Sequence, residues 1–227
     1  MKYEELGRGF IKKREKRVVG LFIDGTGLDR ATRRINRKVD MSALVRGVTS
    51  GIAPTVARYY TLVPYEDDSR QRAFLDAVSR AGLSVIVKRL PPKGITRQVS
   101  VDLEMAADIV AFSLGHTSFS RENEYLPIDH PLRASSDAGQ SSQASTRTPA
   151  NPTTGVASAE GSRQEVQAVR SVVVVCPSRE LAYPLGLLKE FEVDTTTADF
   201  GQFNTGDVLK SAAKWIDLSD SETIWRD

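Results

Sequence analysis

Val18-Val19-Gly20-Leu21-Phe22-Ile23, followed by Asp24-Gly25-Thr26-Gly27, is the first strong apolar run in the chain. A short apolar run stopped by glycines reads as a buried strand leaving a sheet. Working outward, 41–51 places Leu44, Val45 and Val48 at helical spacing, and 56–62 is a second strand containing Tyr59 and Tyr60. Over 69–81 the apolar residues Ala73, Phe74, Ala77 and Val78 describe an amphipathic helix, closed by Gly82. A third strand follows at 84–87, then a turn at 91–94. The spacing of Leu103, Ala106, Ala107 and Val110 predicts a helix over about 100–114, with Ser100 as its N-cap. Val172 to Val175 is the most β-prone run and reads as a central strand. A helix over 179–190, an edge strand near 191–195 and a helix over 207–214 complete the pattern. Strands alternating with helices predict an α/β fold, a mostly parallel sheet covered on both faces. Such sheets place their sites at the carboxyl ends of strands, so Asp24 is the first residue to weigh.

The 227 residues exceed one domain of ~150 residues, which suggests one domain with an insertion. Residues 1–17 form a basic arm, 18–218 a single domain and 219–227 a tail. Residues 134–165 contain Val156 as their sole large aliphatic residue, and 116–167 reads as a flexible insertion. Lys and Arg total 31 against 29 Asp and Glu, a net charge of +2, so bulk charge does not mark a polybasic nucleic-acid binder. One cysteine, Cys176, excludes a disulfide framework and a cysteine-built zinc site. Two histidines, His116 and His130, argue against a histidine metal site. No apolar run approaches the ~20 residues that span a bilayer. A polar N-terminus makes a cytoplasmic location the default, with an organellar address left open.

Asp24 is either a turn-forming aspartate or part of a site. A dinucleotide-binding loop fits poorly, because Arg30 stands where the third glycine belongs. A haloacid-dehalogenase pattern fails as well, since Phe22 occupies the position of the nucleophile. A second acidic group, Asp102, Glu104 and Asp108, lies on one helix among apolar neighbours. A carboxylate beside buried surface needs a cation, a donor or a metal. Carboxylates converging at the end of a parallel sheet would bind a hard divalent ion such as Mg²⁺ or Mn²⁺. Ser178 lacks both the nucleophile elbow and a histidine base, and Cys176 after a β run reads as buried.

Asp24-Gly25-Thr26-Gly27, the six-residue spacing of Asp102 and Asp108, the Val172–Val175 strand and the closing stretch from Leu209 to Leu218 resemble the NYN domain. This is the LabA-like branch of the PIN-like ribonucleases, and the resemblance extends over about 17–218. In that family the first strand ends in Asp-Gly-Ser-Asn, and here Gly27 stands in place of the asparagine. The late Ser-Gly-Asp-x-Asp-Phe signature corresponds to Cys176-Pro177-Ser178-Arg179-Glu180-Leu181, so Ser178 replaces its first aspartate and Glu180 substitutes for its second. The resemblance implies hydrolysis of RNA phosphodiesters, leaving a 3′ hydroxyl, with Mg²⁺ or Mn²⁺ as cofactor. Asp24, Asp102 and Asp108 would then hold the metal, with Glu180 as an outer ligand. Arg30, Arg33, Arg34 and Arg97 are the expected phosphate contacts, and Lys12 to Arg17 form a further basic cluster. Tyr59 and Tyr60 offer stacking surfaces, or core. The other reading is an inactive member acting as an RNA-binding or structural subunit, alone, as a homo-oligomer or with protein partners.

Overall fold

A computed structural model describes residues 17–66, 69–127, 168–201, 206–219 and 224–226. Among the described residues, six strands form one wholly parallel sheet: β1 (Arg17–Asp24), β2 (Val56–Val63), β3 (Ser84–Arg89), β4 (Val169–Val175), β5 (Asp194–Asp199) and β6 (Lys214–Asp217). Their order is β3-β2-β1-β4-β5-β6. The helices are α1 (Gly25–Ile35), α2 (Met41–Val48), α3 (Ser69–Arg80), α4 (Asp102–Ser113), α5 (Ala182–Glu190) and α6 (Asp207–Ser211). The α/β class expected from the alternation of elements is thus the one observed.

From β1 the chain winds outward to β3, then returns to β4 and winds the other way. Parallel crossovers are right-handed, so reversing the winding direction moves the helices to the opposite face. Leu28, Leu44, Leu75 and Val78 of the first three helices accordingly pack on one face with Leu21 and Ile23. Met105, Ile109 and Phe112 of α4, with Leu185 and Leu188 of α5, pack on the other with Phe22 and Val174. Alternate residues of β1 thus serve different layers, as the two-residue period of a strand requires. Gly20 lets α4 approach, because a Cβ there would lie 2.7 Å from the Phe112 ring. At the reversal, β1 and β4 lie side by side with Ile23 opposite Val175, and their carboxyl ends open a crevice.

Several expectations need correction. A helix, α1, starts directly after Asp24, where the glycines read as a turn. The late strand runs Asp194–Asp199 rather than 191–195, and it lies inside the sheet, with β6 outside it. The last helix ends at Ser211 rather than 214, and Lys214–Asp217 is that outer strand. On α4 the buried stripe is Val101, Met105, Ile109 and Phe112, while Leu103 is 76% exposed. Two apolar registers were available on this helix, and contact with Phe22 and Val172 selects the second. Residues 116–127 do not begin a flexible segment. Tyr125 N–H donates to Val85 O at 2.7 Å, Val87 N–H donates to Asn123 O at 2.8 Å, and Glu124 pairs antiparallel with Ile86. This pairing covers the β3 edge. The basic arm up to residue 16 and the insertion from 128 to 167 lie outside the described residues. No helix among the described residues is long and apolar enough to cross a membrane.

Candidate acidic cleft

Asp24 is the last residue of β1 and the N-cap of α1. Its Oδ1 accepts from Thr26 N–H at 2.9 Å and Gly27 N–H at 3.0 Å, while Oδ2 accepts neither. Capping explains why a helix follows at once, since it satisfies amides that the first turn leaves without partners. Gly27 is demanded by proximity: a Cβ would lie 2.6 Å from Cys176 O and 3.0 Å from Asp24 Oδ2. The backbone of α1 is therefore drawn against the exit of β4. There Cys176 adopts a left-handed φ of 51°, which turns the chain toward Pro177 and Ser178.

Asp102 opens α4 and faces Asp24 across a cleft of about 440 Å³. Ser178 Oγ donates to Asp102 Oδ1 at 2.6 Å, and Ser100 Oγ bonds Oδ2 closely. The same Ser100 Oγ accepts from Asp102 N–H at 2.9 Å, so Ser100 does satisfy the helix start, from one residue before the cap. Arg30, Arg34 and Arg179 line the cleft along with Asp199. Asp199, at the end of β5, is buried and accepts from Phe200 N–H at 2.7 Å. It also lies beside the Cys176 thiol, which burial pushes well up, so this cysteine is inert.

Burial pushes the Asp24 carboxyl up to about 6, and the charge of Asp102 adds to the effect. The Gly27 and Thr26 amides and the Arg30 guanidinium pull the other way without restoring an ordinary value. Asp24 is thus a 6% exposed carboxylate with incomplete compensation. Nearby, Thr26 Oγ1 is buried without a hydrogen-bond partner.

The other expected residues lie elsewhere. Asp108 is absent from the cleft lining. Its Oδ2 receives Arg58 Nη1 at 2.6 Å and Tyr60 O–H at 2.7 Å, and the other end of Arg58 donates to Ser120 O at 3.0 Å. The correction follows from helix geometry: six residues advance about 9 Å and turn about 240°, so Asp102 and Asp108 cannot share one small site. Glu104 is paired with Lys88 at 2.7 Å, and Lys88 also donates to Ser100 O at 2.8 Å. Glu180 is exposed on the short turn Arg179–Leu181 and is absent from the lining. Arg33 pairs with Asp29 at 3.0 Å on the outside of α1, and Arg97 is exposed on the loop before α4, outside the cleft. Tyr59 and Tyr60 are both buried. Sequence reasoning missed Asp199 and the roles of Ser100 and Ser178. An aspartate closing a parallel strand was the available signal for Asp199, hidden once that strand was misplaced.

Asp24, Asp102, Ser100 and Ser178 offer oxygen donors in the cleft, a set suited to a hard ion that keeps several waters and takes one or two carboxylates. Among the described residues no three His, Cys, Asp or Glu side chains converge closely enough to cage a metal. Asp24 and Asp102 are the carboxylates of this cleft that could hold such an ion.

An NYN domain model matches residues 18–119, which bears out the resemblance read from the sequence. NYN domains are generally nucleases, bind RNA as a family and typically use divalent metals. A crystal structure of a Vibrio parahaemolyticus protein of unknown function has the same fold, with a TM-score of 0.61 at 9% identity, covering 95% of this chain and 100% of that one. No curated protein matches the chain.

Proposed function

Because residues 18–119 match the NYN domain and two acids face each other where β1 and α4 meet, we propose that this chain is a divalent-metal-dependent ribonuclease. The observation that carries the reading is the Asp24 carboxyl, buried, pushed up to about 6 and set against a second carboxylate. Burying Asp24 beside a second acid opposes folding, and a strongly perturbed acid in a cleft marks a candidate functional site. Asp24 and Asp102 would hold Mg²⁺ or Mn²⁺, which when bound supplies water activation and charge neutralisation at phosphorus. Ser100 and Ser178 fix both oxygens of Asp102. Arg30, Arg34 and Arg179 draw the phosphate backbone over the acids and orient it without reading sequence. Asp24 is placed to keep or release a proton near neutral pH.

Labelled single-stranded RNA incubated with the protein and Mn²⁺ tests this. Cleavage should fall more than about a hundredfold in Asp24→Asn and Asp102→Asn. Equal cutting by parent and variants would sink the assignment.

One observation favours the second reading, an inactive NYN-type protein that binds RNA or serves as a structural subunit. Ser178 takes the place of an acidic residue of the family motif and bonds Asp102 directly. That reading expects salt-sensitive RNA binding or stable co-purification with partners, and no metal-dependent turnover.

A further inference from the structure

On the other flank of α1 lies a second concavity of about 410 Å³, between α1, the linker to α2 and α3. Its floor is aromatic. Tyr59 is buried there, and Phe74 leans on it edge-to-face at 6.2 Å while remaining 44% exposed. Its rim is cationic, with Arg33, Arg37, Lys38 and Arg226. Asp29 is the acidic residue of the lining, and it is engaged by Arg33. The Arg37 guanidinium lies 4.2 Å over the Trp225 ring. Among the described residues, neither Lys38 nor Arg226 makes an ion pair. An aromatic floor with the Phe74 ring partly exposed, beneath a positive rim, matches a ligand that joins a flat ring to a negative group.

Position ties this groove to the acidic cleft. Arg30, Arg33 and Arg34 form a stripe along α1, with Arg37 just past its left-handed cap, Asn36. Arg30 and Arg34 border the cleft, while Arg33 and Arg37 border the groove. A strand whose phosphates follow this stripe reaches from one concavity to the other.

We propose that the groove is a nucleotide subsite, in which Phe74 stacks on one base of a single-stranded RNA while Arg37 and Lys38 hold its phosphates. The site rests on RNA as the ligand, and holds whether or not the cleft cuts it. Base–aromatic stacking tolerates any base, so the subsite adds affinity without sequence preference.

The test is fluorescence anisotropy of a labelled oligouridine titrated with the full chain in EDTA, which prevents metal-dependent cutting. Phe74→Ala should weaken binding about tenfold, and Phe74→Trp should restore it. Lys38→Gln should lower the slope of log affinity against log salt by about one. The outcomes separate cleanly. Unchanged affinity in Phe74→Ala, with Arg30→Gln still weakening binding, overturns the groove and leaves the cleft reading intact. Binding that depends on Phe74, with no Mn²⁺-dependent turnover, supports the groove and sinks the ribonuclease. No RNA binding by the parent overturns both. If sedimentation instead shows Phe74→Ala converting a dimer to a monomer at unchanged affinity, the groove is a protein interface and the proposal fails.

Discussion

Two carboxylates of one helix, α4, meet opposite fates in this molecule. Asp108 is partly buried beside the sheet and is answered from within the protein, by a guanidinium and a phenol, although burial still pushes its carboxyl up. Asp102 sits at the helix start, held by two hydroxyls and facing another acid across an open cleft. A buried charge held in an ion pair belongs to the architecture, whereas an acid that a nearby guanidinium only partly offsets, as Arg30 does Asp24, favours a further cation from solution. Charge compensation, more than acidity, separates a structural aspartate from a functional candidate.

The sharpest way to break that contrast is Asp108→Ala. It leaves Arg58, 6% exposed, without its partner, and should cost about 3–5 kcal/mol in urea unfolding. Metal-induced stabilisation should survive in whatever fraction remains folded. Loss of the metal effect with no loss of stability would return Asp108 to the site.

Next in size is a pH effect. Asp24 titrates at about 6 when folded against an ordinary value of 3.8, so the folded state keeps a proton that the unfolded state releases. Its stabilising contribution is complete below about pH 4 and is lost as pH rises toward 6, a change of about 3 kcal/mol. Asp24→Asn should flatten this part of the pH–stability curve and be more stable than the parent at pH 7. A parent and a variant with parallel curves would contradict the buried, uncompensated acid.

Divalent ions provide the third measurement. Mg²⁺ or Mn²⁺ at a hundred times its dissociation constant should raise stability by about 2.7 kcal/mol, read as a shift in Tm. Neither Asp24→Asn nor Asp102→Asn should show that shift. An equal rise in all three proteins would place the ion elsewhere.

Smallest is the effect of Ser178→Asp, which should tighten metal binding about tenfold while lowering the metal-free Tm through repulsion with Asp102. A higher metal-free Tm would mean that this position does not face Asp102 in solution.

Much of the architecture was legible along the chain because its signals are local. Apolar runs mark β1, β2, β3 and β4, the first stopped by glycine, and the rule for parallel sheets pointed to Asp24. Failures arose where the deciding contact is distant. β5, Asp194–Asp199, is hardly apolar, yet Thr195 to Asp199 are buried inside the sheet. Its terminal Asp199 therefore entered the cleft lining unseen. Capping by Asp24 converts a glycine-rich turn into a helix, and this depends on a side-chain geometry that residue types alone do not fix.

By itself, then, the sequence determined the parallel α/β class, the strand whose tip bears Asp24, a helix over about 100–114 and the NYN resemblance. These follow from periodicity and motif spacing, which are properties of neighbours in the chain. Only the tertiary structure decided which acids stand together. Arg58 and Asp108 are 50 residues apart, and Ser178 and Asp102 are 76 apart. A carboxylate's role depends on the charges and donors that folding brings to it, and no spacing along the chain encodes them.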